Sequence, residues 1–316
     1  MHPRREMRKG ILVSRVIQTT VVIPTYRRGE ILLRTLDRLC RLAAAPGEIL
    51  VADQTEEHPA DVERELRRLE AEGAVRRLRL SPPSIPRAMN VGLREAQGKV
   101  VLFLDDDIEP APGLVAAHAA RHGGEYAAVC GQVLQPGEEP DPEANRNPRG
   151  DGFQADLDFH FNGTEPAEIR NVMAGNLSVD RAAALAIGGF DELFSGSAYR
   201  FETDFARRLV AAGHRILFAP EASLRHLRLP TGGTRSRGDH LARPAPGHAV
   251  GDYLFAFRHA RGGECLRYVA RRLVRETVNR YYLRHPWRMP LKLVAEMRAL
   301  ARARRLDREG PRLLET

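Results

Sequence analysis

Asp105, Asp106 and Asp107 form an unbroken run of carboxylates directly after an apolar pentapeptide, in VVLFLDDDIEP. Three adjacent anions repel one another, so the run reads either as an oxygen-ligand site for a hard divalent cation or as a solvated acidic turn. Side chains alternate along an extended segment, which sends Asp105 and Asp107 one way and Asp106 the other. In the first reading Asp105 and Asp107 share a metal while Asp106 reaches a sugar or ribose hydroxyl. Asp53 is a second acid at the end of an apolar run. Arg87 and Asn90 are three apart, on one face of a predicted helix start, where orphan N–H groups and the dipole attract phosphate. Their bland reading is a solvated arginine and a helix-interior asparagine. Glu202 and Asp204 open another predicted helix and would favour its dipole in any case. His226 follows a predicted strand and precedes a Gly-rich loop, a surface or core histidine in the plainest view.

The frame for these residues is an alternation of strands and helices. Residues 19–24 are a β-rich run ending at a proline, and residues 30–42 repeat apolar side chains at helical spacing. A strand at 48–52, a charged helix at 61–72 and a strand at 75–80 complete a β-α-β-α-β series. That order predicts a parallel, doubly wound sheet with right-handed crossovers, whose ligands bind beyond the C-terminal ends of the strands. Residues 100–104 suit a strand buried on both faces. Helices are expected at 87–96, 112–121 and 205–212, and at 180–186 with Asp180 as N-cap. Further strands are expected at 127–134, around 171–179 with a break at Gly175, and at 214–219, stopping before Pro220. Residues 135–158 lack periodicity and are longer than an ordinary loop, which marks them as functional or disordered and as a place for a flap over an acceptor. Residues 229–247 read as a mobile basic loop.

The 316 residues carry a formal charge of +8. From Asp252 onward there are 16 Lys/Arg and 7 Asp/Glu, a net of +9; the preceding part, with 33 and 34, nets −1. The basic character therefore belongs to the C-terminal segment, and a nucleic-acid-binding module is disfavoured because the α/β part is near neutral. In that segment Leu266, Val269, Ala270, Leu273, Thr277 and Tyr281 keep the spacing of one helical face, and Leu293, Met297 and Leu300 begin another. Such faces commonly pack on their own domain. The sharper alternative is peripheral contact with an anionic membrane, arginines near lipid and Trp287 at the interface. Three dispersed cysteines predict a reduced, cytoplasmic chain, peripheral to the inner membrane face if those helices touch lipid. Residues 1–18 have too short an apolar run for a signal peptide, and the Asn-x-Ser/Thr triplets at Asn162 and Asn176 are then chance matches. No apolar run is long enough to span a bilayer.

Taken together, VVIPTYRR, Asp53, PRAMNVGLREAQGKVVLFLDDDIEP, AGNLSV with IGGFDELF, FETDFARRL and SLRHLRLPTGGTR resemble an inverting glycosyltransferase of the GT-A fold, family 2 type, over about residues 19–240. The resemblance implies an α/β, Rossmann-like nucleotide-sugar-binding domain with a mixed, mainly parallel sheet at 19–247. An extension at 1–18 would precede it and a basic helical segment at 248–316 would follow. It implies that Pro24, Thr25, Tyr26 and Asp53 hold the nucleoside, Asp53 through the base, and that Arg87 and Asn90 lie near ribose and phosphates. Asp105 and Asp107 match the family's acidic metal motif for Mn²⁺ or Mg²⁺, His226 a further ligand, and Glu202 the general base, with Asn176 and Asp204 on the acceptor side. Many members carry a Glu-Asp pair where this chain has Phe201-Glu202. Implied partners are a nucleoside-diphosphate sugar and a hydroxyl acceptor, either glycan, lipid-linked or small. A sugar-phosphate nucleotidyltransferase is the competing enzyme class, but it wants a Gly-rich loop after the first strand that VVIPTYRR lacks.

Overall fold

The computed structural model describes residues 19–146, 150, 152–228, 232–233 and 247–315. The predicted 1–18 extension and most of the basic loop at 229–247 lie outside them. The chain runs β1 (Thr19–Thr25), α1 (Gly29–Cys40), β2 (Glu48–Asp53), α2 (Ala60–Ala71), β3 (Arg76–Arg79), α3 (Ile85–Glu95) and β4 (Val100–Leu104). Then follow β5 (Ile108–Pro110), α4 (Leu114–Arg121), β6 (Tyr126–Leu134), β7 (Ala167–Glu168), β8 (Asn176–Asp180), α5 (Arg181–Ala186), α6 (Phe201–Ala211) and β9 (Arg215–His226). Four helices close the chain: α7 (Gly247–His259), α8 (Gly263–Thr277), α9 (Arg280–Arg284) and α10 (Met289–Glu309).

The nine strands form one sheet in the order β3-β2-β1-β4-β8-β6-β9-β5, with β7 also on β9. β1 to β4 are parallel, as the alternation predicts, and β6 and β9 are parallel to each other. β8 enters antiparallel between β4 and β6. The sheet is therefore mixed but mainly parallel. Val21, Val22, Ile23 and Val101 to Phe103 are fully buried because helices cover both faces of the central strands. Thr25 lies opposite Asp53 in the β1–β2 register, so these strands finish level with each other at one edge.

Two elements differ from the sequence reading. β9 does not stop before Pro220 but runs through it to His226, where a register irregularity against Gly131 and Val133 of β6 accommodates the missing N–H. The segment at 135–158 is not a free flap among its described residues. Phe153 and Ala155 are buried, and just beyond it Phe159 and Phe161 pack edge-on to Phe218 of β9 at 5.0 and 6.3 Å.

An aromatic stack sets the position of α6. Phe190 meets Phe103 of β4 edge-on at 5.4 Å, stacks on Phe205 at 4.3 Å and touches Phe201 at 5.6 Å. Truncating a buried phenylalanine of this kind costs about 3–5 kcal/mol, enough to fix the helix over the strand that carries the acids. On the α4 side the interior is polar. His118 contacts Ser178 Oγ and Asn176 Oδ1, both at 2.8 Å, and His122 contacts Ser178 Oγ at 2.7 Å. Burial pushes both histidines down to about 4. A histidine depressed in this way contributes stability above its unfolded pKa and loses it as pH falls towards the folded one. His118 alone should therefore remove about 2 kcal/mol between about pH 7.5 and about pH 5. Urea unfolding at the two pH values measures this, and His118→Gln should flatten the dependence even while lowering stability at both.

Candidate active site and metal centre

β4 ends at Leu104, and Asp105 to Asp107 turn over the sheet edge before β5 leaves antiparallel to the end of β9, with Ile108 opposite His226. That register brings His226 to the acids although 119 residues separate it from Asp107. His226 Nε2 lies 3.1 Å from Asp107 Oδ1 and 3.8 Å from Asp105 Oδ2. One ligand atom from each of Asp105, Asp107 and His226 falls within 4.8 Å of the others, and no other such trio occurs among the described residues. Two carboxylate oxygens and an imidazole nitrogen form a donor set that suits a hard or borderline divalent cation. Gln135 Oε1 faces the other ring nitrogen, Nδ1, at 3.0 Å. Donating Nδ1–H to Gln135, a neutral His226 would present its Nε2 lone pair to a cation held between the two aspartates; without one, Nε2–H donates to Asp107. Burial works against the charged imidazole, but the hydrogen bond to Asp107 and the charges of Asp105 and Asp107 outweigh it, so the pKa lies above the ordinary value. Gly175 matters here, because a Cβ at that position would stand 2.2 Å from Asp105 Oδ2.

The expected alternation holds, with one correction. Asp105 is exposed and Asp107 buried on the His226 side, whereas Asp106 points inward and does not reach out towards a ligand hydroxyl. Its Oδ2 accepts from Thr25 Oγ1 at 2.7 Å and its Oδ1 from Arg28 Nη1 at 2.8 Å. Burial pushes Asp106 up to about 6, and Asp107 adds to this, while Arg28 and Thr25 pull the other way. Arg28 Nη1 is also 3.0 Å from Asp107 Oδ2, so a single guanidinium bridges two of the three acids. Sequence reading gave Arg28 no role. Its signal was its place four residues after Pro24, at the end of the turn that leaves β1. Gly232 closes over this arginine at φ +73°, and a Cβ there would meet Arg28 Cγ at 2.3 Å.

Other expected ligand contacts are spent inside the protein. Asp53 is fully buried, and its carboxylate accepts from Thr55 N–H at 3.0 Å and pairs with His58 Nε2 at 2.8 Å. It shapes the 53–58 turn instead of facing outward to a base. Asn90 donates to Phe190 O and Glu192 Oε1 and accepts from Phe190 N–H, which staples α3 to the turn after Gly189. Asn176 donates to Gln132 O and Ala222 O and contacts His118 through Oδ1, bridging three strands instead of lining an acceptor cleft. Asp204 pairs with Arg208 Nε at 2.9 Å and His259 Nε2 at 2.8 Å, which ties α6 to α7. All three are buried.

Arg87 is half-buried and donates to Ser81 O and Pro82 O at 2.8 and 3.2 Å, so it braces the loop before α3. Pro24 and Tyr26 are half-buried at the end of β1, and Thr25 is buried against Asp106. Glu202 is half-buried in the first turn of α6. Burial pushes the Cys130 thiol of β6 up to about 12, and Glu202's charge adds to that. Met173 N–H meets Cys130 Sγ at 3.4 Å, pinning the loop that leads to Gly175 and Asp105.

A mixed sheet flanked by helices, with acids and a histidine converging where its strands end, has the architecture of the GT-A glycosyltransferase fold. The sequence model of glycosyl transferase family 2 matches residues 20–184, just over half the chain, and the protein belongs to that family. A search of curated proteins finds no match. Among solved structures, the chain is similar to TarS residues 1–349 of S. aureus in complex with UDP-GlcNAc, at TM-score 0.60 and 14% identity, covering 90% of this chain and 81% of that one. It is also similar to the mannosyltransferase PcManGT from Pyrobaculum calidifontis in complex with GDP-Man and Mn²⁺, at TM-score 0.55 and 18% identity, covering 93% and 79%. A third is GalNAc-T7 with UDP, GalNAc and Mn²⁺, at TM-score 0.54 and 17% identity; the match covers 76% of this chain and spans only half of that one.

Proposed function

We propose that this protein is a divalent-metal-dependent, inverting glycosyltransferase that moves a sugar from a nucleoside diphosphate to a hydroxyl acceptor. The observation that carries this is the convergence of Asp105, Asp107 and His226 beyond the end of β4. Asp105, Asp107 and His226 Nε2 would hold Mn²⁺ or Mg²⁺, and the bound ion would offset charge on the departing pyrophosphate. Complexes of similar structures with UDP, GDP-Man or UDP-GlcNAc, two of them with Mn²⁺, support a nucleotide-sugar donor.

This chain's own residues do the rest. The β1 turn from Pro24 to Tyr26 would take the nucleoside, with Arg87 bracing the loop before α3. Asp53 and Asp106 act indirectly, by holding the turns at the ends of β2 and β1. Arg28, in contact with two of the acids, keeps them together until the cation shares their charge. A sugar hydroxyl is a poor nucleophile at neutral pH, so Glu202 accepts its proton as it attacks the face opposite the leaving group, and the anomeric centre inverts. Glu202 is the carboxylate suited to this because Asp204 is already paired with Arg208 and His259. The turn after β1, Thr25 to Gly29, lacks the glycine-rich triphosphate cradle that a nucleotidyltransferase would need. A thermal-shift panel of UDP, GDP, dTDP and CDP with and without Mn²⁺ tests the reading. One nucleotide should stabilise the protein, and only when metal is present; equal shifts without metal would contradict it.

A further inference from the structure

The exposed apolar side chains are confined to one part of the molecule. All nine large hydrophobic residues that are exposed among the described residues fall between Leu266 and Met297. Leu266 is 72% and Trp287 69% exposed, and Val274, Leu283, Leu291 and Val294 are exposed with them. The expected apolar face of α8 packs only in part: Val269 and Leu273 lie against the core. Arg272 and Glu276 are its buried residues, while Leu266 and Val274 point outward.

The buried side is an ionic network. Arg272 Nη1 meets Asp252 Oδ2 at 2.5 Å, Arg272 Nε meets Glu296 Oε2 at 3.4 Å, and Lys292 Nζ meets Glu296 Oε1 at 2.9 Å and Glu276 Oε2 at 3.5 Å. Glu276 and Glu296 are the only acids between residues 266 and 306, and both are used up internally. Every exposed charge in that stretch is consequently an arginine, among them Arg267, Arg271, Arg275, Arg284, Arg288 and Arg298.

We infer that the outward side of α8, α9 and α10 is a docking surface for an anionic lipid bilayer. Apolar side chains interleaved with long cations, and no exposed acid between residues 266 and 306, fit the headgroup boundary: the apolar groups enter the acyl region while the guanidinium groups stay with lipid phosphates. A second copy of the same surface would oppose arginine to arginine. The contact is peripheral, since no helix among the described residues is long and apolar enough to cross a membrane. The surface is also fixed relative to the acids of the sheet edge. Asp252 on α7 binds both Arg272 and Arg200, the residue before α6, and His259 on α7 binds Asp204 in the first turn of α6. The lipid-facing helices therefore hold Glu202 in one pose relative to the bilayer. This inference does not depend on the transferase reading, and its test reads binding alone.

Trp287 is the chain's single tryptophan, so its emission reports directly on this surface. On titration with phosphatidylcholine vesicles containing phosphatidylglycerol, the full-length protein should sediment with the vesicles and its emission should shift to the blue. Pure phosphatidylcholine should give neither effect. Arg284→Glu with Arg288→Glu should weaken binding at least about tenfold. Leu283→Ser with Leu291→Ser should abolish the shift with the melting temperature unchanged, because both side chains are exposed. No binding to anionic vesicles would overturn the inference. So would binding without a blue shift that heparin competes away, which is charge attraction alone. A blue shift that grows with protein concentration in the absence of lipid, and is lost in the serine variant, would assign the surface to self-association instead.

Discussion

Glu202→Gln is expected to lower kcat about 10²–10⁴-fold while leaving donor affinity intact, the loss typical of removing a positioned general base. Glutamine keeps the size of the side chain and its place in the first turn of α6, between the Phe201 and Phe205 contacts that hold that turn against Phe190. The variant should therefore fold, bind nucleotide in the presence of metal, and fail only in transfer. Steady-state kinetics with donor and acceptor varied separately gives the answer, and nuclear magnetic resonance of the product's anomeric proton tests whether the parent enzyme inverts. Turnover at the parent rate would place the base elsewhere. Asp204→Asn is the informative control, because Asp204 joins Arg208 and His259 and its loss should lower the melting temperature more than it lowers kcat/KM at a permissive temperature.

Asp107→Asn should remove the coupling between metal and nucleotide. Asp107 is buried, with Arg28 Nη1 at 3.0 Å on one oxygen and His226 Nε2 at 3.1 Å on the other. Asparagine fills the same space and can still meet both partners, but it lacks the charge that a divalent cation needs from a buried ligand. Affinity for the nucleoside diphosphate with Mn²⁺ should fall to its value without Mn²⁺, and turnover should fall at least about 100-fold, since loss of a ligand costs no less than loss of a neighbour that orients one. Isothermal titration with and without Mn²⁺ measures the first and initial rates the second. Asp105→Asn should give the same loss of coupling with little change in melting temperature, because Asp105 is exposed where Asp107 is not. An Asp107→Asn protein that still binds nucleotide more tightly with Mn²⁺ would remove this residue from the metal site.

Much of the N-terminal half could be read from the sequence for a simple reason. In β1, β2 and β4 the apolar runs are short, β-branched and bounded by acids or turns, and the helices between them repeat at 3.6 residues. The acidic run at the end of β4 was visible because three adjacent carboxylates are costly anywhere else. What escaped was side-chain direction. Asn90, Asn176 and Asp204 have the residue types and order of site residues, yet their polar atoms serve the Phe190 turn, the β6–β8–β9 junction and the α6–α7 contact. A buried polar group needs partners as urgently as a catalytic one needs orientation, and residue type does not separate the two demands. β5 is three residues long and carries no periodicity, and Pro220 concealed the far half of β9. Those two elements deliver His226. The order of motifs suggested the histidine, but only the β5–β9 pairing explains its position. In the C-terminal segment amphipathic spacing was plain, whereas the burial of Arg272 beside Val269 and Leu273 depends on acids contributed by α7 and α10.

The proposed transfer requires one divalent cation held by Asp105, Asp107 and His226. Crystals grown with MnCl₂ and the nucleoside diphosphate that stabilises the protein, with diffraction recorded near the manganese absorption edge, test that most directly. An anomalous peak between Asp105, Asp107 and His226 Nε2, touching the diphosphate oxygens, is the predicted result. A diphosphate bound with no anomalous signal there, or with manganese held by other side chains, would contradict it.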